Sequence, residues 1–176
     1  AKKVLSQNNA TFQKDLVAAL KNDKSHTFDL DGQGNPMPPA DFVQDVVYFR
    51  DYVIPEMTKV LRGDERSCMI CHGEPGRVPS MELHPPDQVG YLPVDKLVAN
   101  YRLLQQRVDI GSLGTSKLLR KPLNIQTGKE DGHQGGRRYQ PNDVGYLILT
   151  KWATNQVDIQ NRYGQPKLSA ASQKNP

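Results

Sequence analysis

A mostly α-helical fold with long irregular loops is predicted by three features of this 176-residue chain. Apolar residues recur at spacings of three and four in four separate stretches, the period of an amphipathic helix. Thirteen prolines and fourteen glycines fall largely between them, and such residues end helices and shape turns. Only 36% of the residues are hydrophobic, which favours short helices in one domain over a large sheet-based core.

The first stretch, 10–21, places Phe12, Leu16, Val17 and Leu20 on one face, with Asn9 positioned to cap its start. Asp29-Leu30-Asp31-Gly32-Gln33-Gly34-Asn35 then leads into Pro36-Met37-Pro38-Pro39, a loop. Its aspartates are similar to those of a calcium loop, but the glutamate required near the twelfth position is missing. Residues 41–61 carry the stripe Phe42, Val46, Phe49, Val53 and Met57. Pro55 inside this stretch predicts two helices, or one kinked helix, running straight into the motif that follows.

Beyond residue 73 comes a proline-rich loop, then a helix over 93–107 faced by Leu97, Val98, Tyr101 and Leu104. Residues 112–124 contain a short helical turn around Lys117-Leu118-Leu119, and 128–140 are polar and glycine-rich. The last helix is predicted over 141–155, opened by Pro141-Asn142-Asp143 and carrying Val144, Leu147, Ile148, Leu149 and Trp152. Residues 161–176 read as a surface or disordered tail.

Cys68-Met69-Ile70-Cys71-His72 carries the chemistry. The spacing Cys-x-x-Cys-His is that of covalent attachment of a c-type haem. One helical turn presents both thiols to one porphyrin edge and sets the imidazole of His72 under the iron. Cys68 and Cys71 are the only cysteines, so no disulfide competes. A thioredoxin-like pair would need a βαβ setting, and a zinc site two further close ligands. The flanking pattern supplies neither, since His26, His84 and His133 are scattered.

A net charge of +4 suits an acidic redox partner or an anionic surface. No interleaving of basic and aromatic residues points to nucleic acid. No apolar run approaches the ~20 residues of a membrane span. Covalent haem attachment takes place outside the bacterial cytoplasm, so the motif predicts an exported, periplasmic protein whose signal peptide has been removed.

With His72 on one side of the iron, the opposite position decides the function. His133, in Gly132-His133-Gln134-Gly135-Gly136 just before the last helix, is the leading candidate, because glycines let the backbone approach the ring. Met81 is the next choice. His84, Met37 and His26 remain open, and Met57 reads as core packing. Arg77, Arg137 and Arg138 are candidates to pair with the haem propionates. The His72 imidazole is expected to donate its other N–H to a carbonyl of the proline-rich loop.

These elements together resemble the c-type cytochromes of the monohaem class I kind, and the cytochrome c-like domains of large exported bacterial proteins. The residues that carry the resemblance are Tyr48-Phe49, Val53-Ile54-Pro55, Cys68 to Gly73, Ser116-Lys117-Leu118-Leu119, His133-Gln134-Gly135-Gly136 and Tyr146 to Trp152. It implies a class I-like helical domain over 41–156 around one covalent haem c, with the first and last helices crossing at Tyr48 or Phe49 and Gly145, Tyr146 or Trp152. An N-terminal extension with one helix (1–40) and a C-terminal tail (157–176) would flank it. The implied function is single-electron transfer between redox partner proteins rather than enzymatic catalysis. A haem enzyme or gas sensor with an open iron, and a subunit of a larger redox complex, are the alternatives. A methionine before the final helix, usual in class I, is missing, which favours His133.

Overall fold

In the computed structural model, residues 10–61, 66–125 and 132–164 are described. Among them helices dominate and no strand forms; backbone pairing outside helices is limited to two isolated bridges, His26 with Gly164 and Leu30 with Pro36. The chain is mostly α, as its periodicity predicts.

Helix α1 spans Ala10–Leu20 and buries Phe12, Leu16 and Leu20. It packs against α5, Val94–Gln105, whose buried side is Leu97, Val98, Tyr101 and Leu104. Full burial of a large apolar side chain contributes about 1.5–3 kcal/mol. Three such residues make α1 part of the common core rather than an appendage to it. The cap expected at Asn9 lies outside the described residues. The aspartate loop is closed by its own atoms. Asp31 Oδ1 accepts from the N–H groups of Gln33 and Asn35, both at 2.8 Å, and Asn35 Nδ2 donates to Oδ2 at 3.0 Å.

Helix α2 (Ala40–Tyr48) continues without a break through a π-helical turn, Phe49–Val53, into α3 (Ile54–Thr58). Pro55 explains the widened turn. It has no N–H to give and its ring crowds the carbonyl four residues back. The helix widens so that Ile54 N–H reaches Phe49 O, five residues earlier. The expectation that this helix runs straight into the cysteine motif is corrected by the structure. Lys59 turns to extended backbone, and Leu61 N–H bonds Arg66 O before a separate short helix, α4 (Cys68–His72), begins.

Helix α6 is Lys117–Leu123, closed by Asn124 in the left-handed conformation at φ 54°. Helix α7 runs over Val144–Tyr163, past the boundaries expected at 155 and 156. Its added turns are held by packing: Gln156 and Ile159 are buried, and Thr27 N–H donates to Tyr163 O at 2.8 Å. Residues 165–176, most of the expected tail, lie outside the described residues.

The helices cross where aromatic residues meet. Phe49 lies 4.9 Å from Trp152 and 5.3 Å from Tyr101 between ring centroids, and Tyr48 Oη donates to Ile148 O. Beside this contact sits a buried polar node. Asp45 accepts from Tyr101 Oη at 2.7 Å, Trp152 Nε1 at 3.1 Å, Gln156 Nε2 at 2.6 Å and Asn155 Nδ2 at 3.3 Å. Gln156 Oε1 in turn accepts from Gln105 Nε2 at 2.8 Å. Desolvation raises the Asp45 carboxyl above its ordinary value despite these donors.

Candidate functional site

Helix α4 puts Cys68, Cys71 and His72 on one turn, both cysteines partly buried. Met69 is buried and Ile70 exposed, so the two residues inside the motif face opposite ways. Gly73 closes the turn: a Cβ there would meet Met69 O at 2.7 Å, and Pro85 packs alongside.

His72 is oriented by the proline-rich loop, as the sequence leads one to expect. Its Nδ1–H donates to Met81 O at 3.0 Å, and Leu83 N–H returns to His72 O. Burial lowers the pKa of the His72 imidazole, with His133 adding to the shift and the Met81 bond opposing it. A neutral imidazole is the ligand form.

His133 is brought to the same place from the far end of the chain. Its ring lies 6.3 Å from that of His72 between centroids, with the planes 4° apart. Three things hold it. His133 N–H donates to Asn124 Oδ1 at 2.8 Å, His133 Nδ1–H donates to Gly136 O at 2.8 Å, and Gly135 makes room for the ring. A Cβ at Gly135 would stand 2.9 Å from His133 Cε1. Both imidazoles thus spend Nδ1 on a main-chain carbonyl. Neither Nε2 has a hydrogen-bond partner among the described residues.

The other candidates lie elsewhere. Met81 gives its carbonyl to His72, so its backbone belongs to the His72 side. His84 is exposed, its backbone clamped by Asn100 through bonds of 2.8 and 2.7 Å. His26 is buried among Phe28, Phe42 and Tyr101 and pairs with Asp23 at 2.7 Å. Met37 is exposed and Met57 buried in the core. Of the three arginines, Arg77 pairs with Glu74 at 2.7 Å and Arg137 donates to Leu123 O at 3.2 Å. Arg138 stands near enough to Cys68 to favour its thiolate, although burial dominates and pushes that thiol up to about 11.

Three contributors escape a reading by periodicity. Tyr139, inside the stretch taken as polar loop, is buried; its hydroxyl donates to the buried Glu56 at 3.2 Å and contacts Cys68. Gly145 makes this possible, since a Cβ there would fall onto Glu56 Oε1 and within 2.7 Å of Tyr139 Cε1. Asn124 is the third. A left-handed helix end favours Asn or Gly, so its place just past the Leu-Leu turn is the one local signal that could have found it.

Among the described residues no group of three or more His, Cys, Asp or Glu converges as a metal site. No helix among them is long and apolar enough to cross a membrane. No protein-family model matches the chain, and no curated protein or solved structure was found to be similar to it.

Proposed function

We propose that the chain is an exported monohaem c-type cytochrome, class I-like in fold, that passes single electrons between partner proteins. Haem would be tied to Cys68 and Cys71, with His72 and His133 on opposite sides of the iron. One observation carries this reading: two imidazoles, parallel within 4° and 6.3 Å apart, each anchored through Nδ1 and each with no Nε2 partner among the described residues. Two metal–nitrogen bonds of about 2 Å and the half-widths of two rings bring the centroids to about 6 Å, so the observed separation matches that of two imidazoles on one metal ion. With no third protein donor converging among the described residues, the remaining positions would be filled by the ligand itself, as by the four nitrogens of a porphyrin.

When bound, haem supplies a centre that takes up and releases one electron. The chain's residues hold that centre still. Nδ1–H donation from each histidine to a carbonyl fixes the tautomer and leaves Nε2 as the donor atom. The two ligands approach from different parts of the fold, α4 and the loop between α6 and α7, so both must stay in place for the iron to be closed on both sides. A histidine pair generally sets a lower reduction potential than histidine with methionine.

Near-infrared magnetic circular dichroism of the oxidised holoprotein tests this reading. A bis-histidine signature that disappears in His133→Ala supports it. A histidine–methionine signature would remove His133 from the iron. A high-spin spectrum would favour an open-site enzyme or sensor, and a chain that takes up no haem under conditions that mature c-type cytochromes would end the proposal.

A further inference from the structure

We propose that Tyr139 and Glu56 form a proton relay that prepares Cys68, and not Cys71, to add to an alkene. The inference rests on the haem reading only for the identity of that alkene, which would be a vinyl group at the porphyrin edge. Its own basis is a chain of side chains leading away from one sulfur. Tyr139 Oη hydrogen-bonds Cys68 and donates to Glu56 Oε1 at 3.2 Å. Glu56 is buried, and its other oxygen lies 3.8 Å from Nζ of the exposed Lys59. The path therefore runs from a partly buried thiol to the protein surface.

Three parts of the chain converge to build it. Cys68 opens α4, Glu56 lies in α3 just past the π turn, and Tyr139 comes from the segment between α6 and α7. Arg138 N–H and Tyr139 N–H both bond Pro122 O, which ties that segment to α6. Gly145, the second residue of α7, leaves the space in which Glu56 and Tyr139 meet. A Tyr–Glu hydrogen bond by itself is structural. The thiol at its end gives the cluster a chemistry, because a thiol becomes a nucleophile by losing its proton.

Cys68 needs such help. Burial dominates at its thiol and pushes it up to about 11, with Glu56 adding to the shift and Arg138 and Tyr139 opposing it. At pH 7 only about one molecule in ten thousand then carries the thiolate, a tenfold loss for each unit below the midpoint. A positioned base avoids that scarcity by taking the proton as the new bond forms. Tyr139 is not that base on its own, since desolvation and then Cys68 and Glu56 raise its hydroxyl above the ordinary value. It stays a neutral hydroxyl, which accepts from the thiol while donating to Glu56 and so passes a proton on without holding charge.

The step balances without an outside reagent. The Cys68 Sγ–H bond breaks as an Sγ–C bond forms to one alkene carbon. The proton crosses Tyr139 Oη to Glu56, and one proton returns to the other alkene carbon. The double bond becomes a single bond, nothing is oxidised or reduced overall, and both relay residues end as they began. Tyr139 touches the reacting sulfur and is the catalytic residue, while Glu56 acts through it.

The test compares the parent with Tyr139→Phe and Glu56→Gln, which remove the hydroxyl and the charge but keep the shapes. The full chain, reduced and free of haem, is treated with 4-vinylpyridine, and each cysteine is followed by peptide mass spectrometry. Expected is a loss of about a hundredfold at Cys68 in both variants at pH 7, the low end of what a positioned base contributes, with Cys71 unchanged. The loss should shrink as pH rises toward 11, where hydroxide replaces the relay. A purely electrostatic Glu56 predicts the opposite sign, since removing its charge favours the thiolate, and a faster Cys68 in Glu56→Gln would overturn the proposal. Unchanged rates, equal losses at both cysteines, or a loss that pH does not recover would overturn it as well. The same chains are then produced in cells that mature c-type cytochromes. A parent without haem, with the expected vinylpyridine rates, would remove the haem reading and leave the relay standing. A parent carrying haem, with Cys68 rates equal to those of the variants, would do the reverse.

Discussion

Asp45 and the His72–His133 pair both gather polar side chains from distant parts of the chain, and they finish differently. At Asp45 four side-chain donors close on one carboxylate, and Gln105 ties in the next residue of the network. At the histidine pair each ring is anchored once, through Nδ1, and its other nitrogen has no partner among the described residues. Buried polar groups in proteins are nearly always satisfied. A closed network therefore reads as structure, whereas the parallel, partly exposed rings of His72 and His133, each anchored once, suit a site for something else. The aromatic residues that pack around Asp45 fix the angle between α2, α5 and α7.

If the two regions divide the work in this way, four experiments should separate them. The largest effect is expected from Cys68→Ala/Cys71→Ala. Haem staining of the denatured chain should vanish, while Asp45 and its donors are untouched.

Next is Asp45→Ala, which strands the Tyr101, Trp152 and Gln156 donors in the core. At about 1–3 kcal/mol for each unsatisfied buried group, denaturant unfolding should show a loss of about 3 kcal/mol or more. The axial-ligand spectrum of the folded fraction should not change. A changed spectrum would mean that the network positions the histidines directly.

Asn124→Ala comes third. It removes the acceptor of His133 N–H and a residue suited to the left-handed helix end. Loss of about 1 kcal/mol, one hydrogen bond, should raise carbon monoxide binding to the reduced holoprotein about fivefold. Asn124→Asp, which keeps the acceptor, should restore the parent behaviour, and Asn124→Gly, which keeps only the backbone freedom, should not.

The smallest effect is pH-dependent. The Asp45 carboxyl is raised in the fold, so ionising it costs more in the folded state than in the unfolded state. The stability advantage of the parent over Asp45→Asn should be greatest below 3.8 and shrink as pH rises through the folded value. A constant difference would show that Asp45 ionises as readily in the fold as outside it.

Helical class and the loop carbonyl that accepts from His72 were legible in the sequence. Periodicity marks a buried face, and the five residues from Cys68 to His72 fold as one short helix. Helix lengths were less legible. The end of α7 is fixed by Thr27 and by the burial of Ile159, and such contacts leave no mark in local pattern. Tyr139 was hidden for a different reason. It sits alone among polar residues, and its burial depends on space that Gly145 opens across the chain. His133 could be chosen by composition and order, but the 4° alignment of its ring arises from Asn124, Gly135 and Gly136 acting together. Pro55 signalled a disturbance in its helix without saying which kind.

That disturbance has an evolutionary reading. A π turn is an α-helix with one residue too many, and each residue advances a helix by about 100°. Removing a single residue between Phe49 and Val53 would give a shorter, more regular helix. It would also swing Glu56 and Met57 about a quarter turn out of register with Tyr139 and the core. The irregular turn thus acts as a counting device, and the frame beyond it tolerates substitution far better than deletion.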